Sequence, residues 1–66
     1  MEVGVTHEEK RTVMVFDAPL AISVILEKMG IPPSTVLTVV DGKIVPHTSI
    51  ITGDIDIELI IVSSGG

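Results

Sequence analysis

The sequence predicts a two-layer α+β domain, one sheet packed on one helix. Three observations predict it. Apolar residues make up 45% of the chain and are nearly all aliphatic, with Phe16 the only aromatic. Among them β-branched Val and Ile abound, and with Thr they favour strands. One stretch alone carries helical periodicity: Ile22, Ile25, Leu26 and Met29 recur at i, i+3, i+4 and i+7. Turn signals, above all Asp41-Gly42, cut the rest into short strands. Two strands, a helix and then strands again leave one helix stripe, which the inward face of the sheet must bury.

Each element has a local cause. Residues 2–6 alternate, with Val3 and Val5 on one face of a first strand. His7-Glu8-Glu9-Lys10 is a polar turn, and Arg11 to Phe16 form a second strand, a hairpin with the first. In that strand Val13 and Val15 share one face and Met14 and Phe16 the other; both are apolar, so the sequence leaves the buried face open. Asp17 offers an N-cap and Pro19 suits a first helical turn, which predicts a helix over 18–29. Gly30 stands at its C′ position, and Pro32-Pro33 prevent resumption. Val36 to Val40 make a third strand, Asp41-Gly42 a two-residue turn, and Lys43 to Val45 a fourth strand ended by Pro46. Thr48 to Thr52 read as an irregular crossing. Gly53-Asp54 turn the chain into the last strand, Ile55 to Val62.

That last strand carries the most information. Ile55, Ile57, Leu59 and Ile61 fall on one face, and Asp54, Asp56 and Glu58 on the other. Beyond Glu58 the polar face turns apolar with Ile60 and Val62, which points to a docking surface because small monomers rarely expose contiguous apolar patches. The alternative is burial against a loop or a second copy. Residues 1–62 form the domain and residues 63–66, Ser63-Ser64-Gly65-Gly66, a flexible tail. Two glycines without Cβ let a narrow tunnel in a partner close around the backbone. The competing reading of the tail is an ordinary frayed end.

Composition excludes several classes. A net charge of −5 with four basic residues, Lys10, Arg11, Lys28 and Lys43, argues against nucleic acid and suits a basic protein partner. The same charge also serves solubility alone. With no cysteine there are neither disulfides nor thiolate metal sites. His7 and His47 have no partners at ligand spacing, so no metal is expected. Ser63 and Ser64 lack an adjacent base, and no glycine-rich phosphate loop is present, so no catalytic site and no bound cofactor are expected. No apolar run approaches the ~18 residues of a membrane span, and the start lacks a signal-peptide pattern. A cytoplasmic monomer is the expectation.

The stretch Val36-Leu37-Thr38-Val39-Val40-Asp41-Gly42-Lys43-Ile44-Val45-Pro46, followed by Gly53-Asp54-Ile55-Asp56-Ile57-Glu58 and by Gly65-Gly66, resembles the ubiquitin-like β-grasp family. It is most similar to the small sulfur carriers of thiamin and molybdopterin synthesis and to the small archaeal modifier proteins. Nearly the whole chain is covered, in sequence over the second half and in topology over the first. Family members usually carry Asp-Gly-Asp before the last strand, where this chain has Thr52-Gly53-Asp54.

The resemblance implies a β-grasp fold of ββαββ type and a protein that is substrate rather than enzyme. An adenylating enzyme of the ubiquitin-activating type uses ATP and Mg²⁺ to convert the Gly66 carboxylate, presented with Gly65, to an acyl-adenylate. A sulfur donor then yields a thiocarboxylate for cofactor synthesis or tRNA thiolation, consumed by a downstream synthase. Alternatively the acyl group passes to lysines of target proteins. It also implies that the open sheet face meets the activating enzyme. Ile60 and Val62 lie there, joined by Leu37 and Val39 if Thr38 and Val40 face the helix, with Asp54, Asp56 and Glu58 as an acidic rim that speeds association. A rival reading is a β-grasp interaction module whose terminus is never activated.

Overall fold

In the computed structural model, which describes residues 1–62, the elements run β1 (Glu2–His7), β2 (Lys10–Val15), β3 (Leu20–Ala21), α1 (Ile22–Lys28), a 3-10 turn (Pro33–Thr35), β4 (Val36–Val40), β5 (Lys43–Val45), β6 (Ile50–Ile51) and β7 (Ile55–Ile61). Five strands form one mixed sheet in the order β2-β1-β7-β4-β5, and β3 pairs with β6 as a separate ribbon. β7 is central: it runs parallel to β1 and antiparallel to β4. One helix covers one face of this sheet, a two-layer, β-grasp-like fold.

Both hairpins turn on two residues. Asp41 and Gly42 have φ of +53° and +76°, between the paired Val40 and Lys43. Positive φ at both positions is the type I′ geometry, whose twist matches the strands. Glu8 and Glu9 adopt the same geometry, φ +53° and +66°, between His7 and Lys10. Neither glutamate suits it, since the left-handed region costs a residue with a Cβ roughly 1–2 kcal/mol. Replacing Glu8-Glu9 with Asn-Gly is therefore expected to stabilise the domain by about 1 kcal/mol, raising the melting midpoint by roughly 5 °C. A urea or thermal melt checks this; a loss of stability would show that the glutamate side chains hold the turn.

The helix is shorter than its sequence signals. It starts at Ile22, not 18, and its N-cap is Ala21, with no side-chain cap. Asp17 and Pro19 precede it without capping or entering it. The reason is tertiary. Leu20 and Ala21 are drawn into extended pairing with Ile51 and Ile50. The freed amides of the first turn find carbonyls across the chain: Ile22 N donates to Ser49 O at 3.0 Å and Ser23 N to His47 O at 2.9 Å. Those contacts satisfy donors that a cap would otherwise serve. The supposed irregular crossing over 48–52 thus holds a strand, β6, and places Ile51 in the core.

The other end matches its signals. Gly30 has φ +74°, Gly30 N donates to Glu27 O at 3.0 Å, and Ile31 N donates to Leu26 O at 2.9 Å. This is the paired pattern of the Schellman motif, with glycine at the left-handed position.

The core lies between the layers. Val3, Val5, Ile22, Ile25, Leu26, Val36, Ile51, Ile57 and Leu59 are buried, and Met14, Phe16 and Met29 pack against them. Register therefore resolves the second strand: Met14, paired with Val3, faces the core, while Val13 and Val15 face out, 47% and 71% exposed. Thr38 is fully buried among these aliphatics, and its hydroxyl donates to Val45 O at 2.6 Å. Ile61 departs from expectation. It pairs with the buried Val36 on one side yet remains 50% exposed; on its other side the pairing with β1 stops at Glu58.

Candidate functional site: the open face of the sheet

Among the described residues the face away from the helix has no second layer, so what lines it follows from register. Thr38 is buried and faces the core. Its neighbours Leu37 and Val39 must then point to the open face, as must every second residue of the paired strands. Leu37 sits directly opposite Ile60, and Val39 opposite Glu58 on one side and Ile44 on the other. Ile60 and Ile44 are 43% and 65% exposed. Val62 continues the alternation, also exposed, and its N–H donates to Thr35 O at 2.9 Å. That bond carries the β4–β7 ladder one step past β7, to the last described residue.

Leu37, Val39, Ile60 and Val62 thus gather at one end of the open face. Ile44 joins them unforeseen, although the Asp41-Gly42 turn already set Val39 opposite Ile44. Beside them Leu37, Ile44, Val45, Pro46 and His47 line a shallow groove of about 370 Å³. His47 has a structural task there: its Nε2 lies 3.0 Å from Val36 O, on the stretch of β4 that β5 does not cover. A carbonyl only accepts, so Nε2 carries the proton.

The three expected acids lie further along, all exposed. They are not equivalent. Asp54 Oδ1 accepts from Glu2 N at 2.7 Å and so anchors the start of β1. Asp56 pairs with Arg11 of β2, two strands away. Glu58 stands beside Val39 and, with Asp41, Asp56 and Thr6, borders a notch of about 280 Å³. Sequence reasoning missed Asp41 and Arg11 as members of this face. For Arg11 the signal was absent, because its place depends on the β1–β2 register.

Among the described residues no cluster of three or more His, Cys, Asp or Glu side chains has the geometry to hold a metal ion. Every buried side-chain polar atom among them has a hydrogen-bond partner. No helix among them is long and apolar enough to cross a membrane. Ser63, Ser64, Gly65 and Gly66 lie outside the described residues, so the expected reacting carboxylate does too. No family model and no curated protein matches the chain.

Proposed function

We propose that this protein is a small sulfur carrier, a substrate rather than an enzyme, that works through the carboxylate of Gly66. A carboxylate is a poor electrophile, because its charge is delocalised and its oxygen leaves badly. An adenylating enzyme attaches it to AMP from ATP with Mg²⁺, releasing pyrophosphate. A sulfur donor then displaces AMP, and the terminus becomes a thiocarboxylate. Conjugation to lysines of other proteins shares the first step and differs only in the acceptor.

One observation carries the reading. The strand that leads in sequence to the diglycine tail is the central strand of the sheet, tied at Val62 N to Thr35 O, and the half-buried Leu37 and the exposed Ile60 and Val62 stand at that end of it. A partner seated on this patch has the tail at hand, and fixed placement of a reacting group supplies much of the rate in such transfers.

The test is intact mass after incubation with ATP, Mg²⁺, sulfide and candidate adenylating enzymes. The expected product has sulfur in place of one oxygen at the terminal residue. Deleting Gly66, or capping its carboxylate as an amide, is expected to abolish the product and leave the melting midpoint unchanged. Full biological activity in the capped protein would leave the non-activated interaction module as the correct reading.

A further inference from the structure

Among the described residues Arg11 is the only lysine or arginine on the open face, and Lys28 belongs to α1. Lys10, paired with His7, and Lys43, paired with the core-facing Val40, fall on the opposite side by alternation. To reach Asp56 on β7, the Arg11 side chain crosses β1 at Gly4, whose own pairs are Val13 and Asp56. A Cβ built on Gly4 comes within 2.9 Å of Arg11 Cζ and also collides with the Asp56 carboxylate. Residues from three strands thus make one bridge, and the missing side chain in the middle is what gives it room. The bridge is open to solvent, with 54% of the Arg11 side chain and 79% of the Asp56 side chain exposed. Pairs this exposed are weak and readily exchanged.

Asp56 also borders the notch shared by Asp41, Glu58 and Val39. A docking segment that fits this place carries a lysine or arginine next to aliphatic side chains, the cation for the acids and the aliphatics for Leu37 and Ile60. We infer that Arg11 is an internal competitor for that cation: it occupies Asp56 in the free protein and yields it to the partner's lysine or arginine on docking. The inference rests on the open face being the partner surface, and it deepens that reading by making Arg11 the residue that sets how strongly a basic partner is held.

A probe that needs no activating enzyme separates the two. The blocked peptide acetyl-Lys-Leu-Lys-Leu-Lys-amide is titrated at low salt into the isotope-labelled full chain and followed by NMR. Arg11→Gln is expected to bind about threefold more tightly than the wild type. Lys10→Gln, the same charge change on the other side, is expected to change affinity by less than about 1.5-fold. In an Asp56→Asn background the effect of Arg11→Gln disappears, the non-additivity expected of groups in contact. Equal effects of Arg11→Gln and Lys10→Gln, a gain that persists without Asp56, or no binding by any variant overturns the inference. If the threefold shift holds while no adenylation is found, the competitor stands and only the carrier reading falls.

Discussion

Ile25→Ala is expected to lower the stability of the domain by about 3 kcal/mol, the middle of the range for truncating a fully buried aliphatic side chain. Ile25 has no exposed surface and sits midway along a helix of only seven residues. A helix that short has no stability of its own in water; packing of its buried stripe maintains it. The loss is large against the total, since a domain of this size holds roughly 3–10 kcal/mol in all. The midpoint of thermal unfolding should therefore fall by about 15 °C or more. The neighbouring Val24, already 37% exposed, is the control, and Val24→Ala should stay within about 0.5 kcal/mol. Equal costs at the two positions would mean that the helix does not supply the second layer of the core.

The contrast between those neighbours was legible in the sequence, because a helix puts residues 22, 25, 26 and 29 on one side whatever else happens. The hairpin at Asp41-Gly42 was legible for the same kind of reason: a two-residue turn admits few sequences, and this is one of them. From that turn the pairing of Val39 with Ile44 follows by counting. What was not legible depends on distant parts of the chain. The helix begins at Ile22 because loop carbonyls at His47 and Ser49 receive its first amides, and nothing near Asp17 encodes that. Strand β6 is two residues long, too short for any periodicity, and exists because Leu20 and Ala21 pair with it.

The candidate site divides along the same line. Alternation along one strand was enough to place Asp54, Asp56, Glu58, Ile60 and Val62 on one face. The condition on Leu37 and Val39 is met because Thr38 turns inward, where its hydroxyl has Val45 O as an acceptor. The differences among the acids needed the fold. Asp54 serves the backbone of Glu2 and Asp56 serves Arg11, so each is partly committed before any partner arrives. An acidic strand in a sequence reports charge, and only cross-strand register says how much of it remains for a ligand.

Under the carrier reading, Ile60→Arg should give the largest functional loss of any substitution on the open face. Ile60 stands opposite Leu37, two residues before the last described position, and its side chain is 43% exposed. Because it points away from the core, its replacement should cost at most about 1 kcal/mol of stability. At an interface the same side chain is an apolar anchor, whose removal costs about 2 kcal/mol where it is central. Arginine adds a cation facing a partner selected for basic groups, and like charges brought together there cost more. A combined effect near 3 kcal/mol corresponds to about a 100-fold fall in kcat/KM for adenylation of Gly66, since each factor of ten is worth about 1.4 kcal/mol. The fall should appear in KM, because the tail and its carboxylate are untouched and chemistry proceeds normally once the complex forms. Val24→Arg, on the helix side, should leave both constants unchanged. If Ile60→Arg reacts as the wild type does, recognition resides in the tail alone, and the apolar end of the sheet faces something other than the activating enzyme.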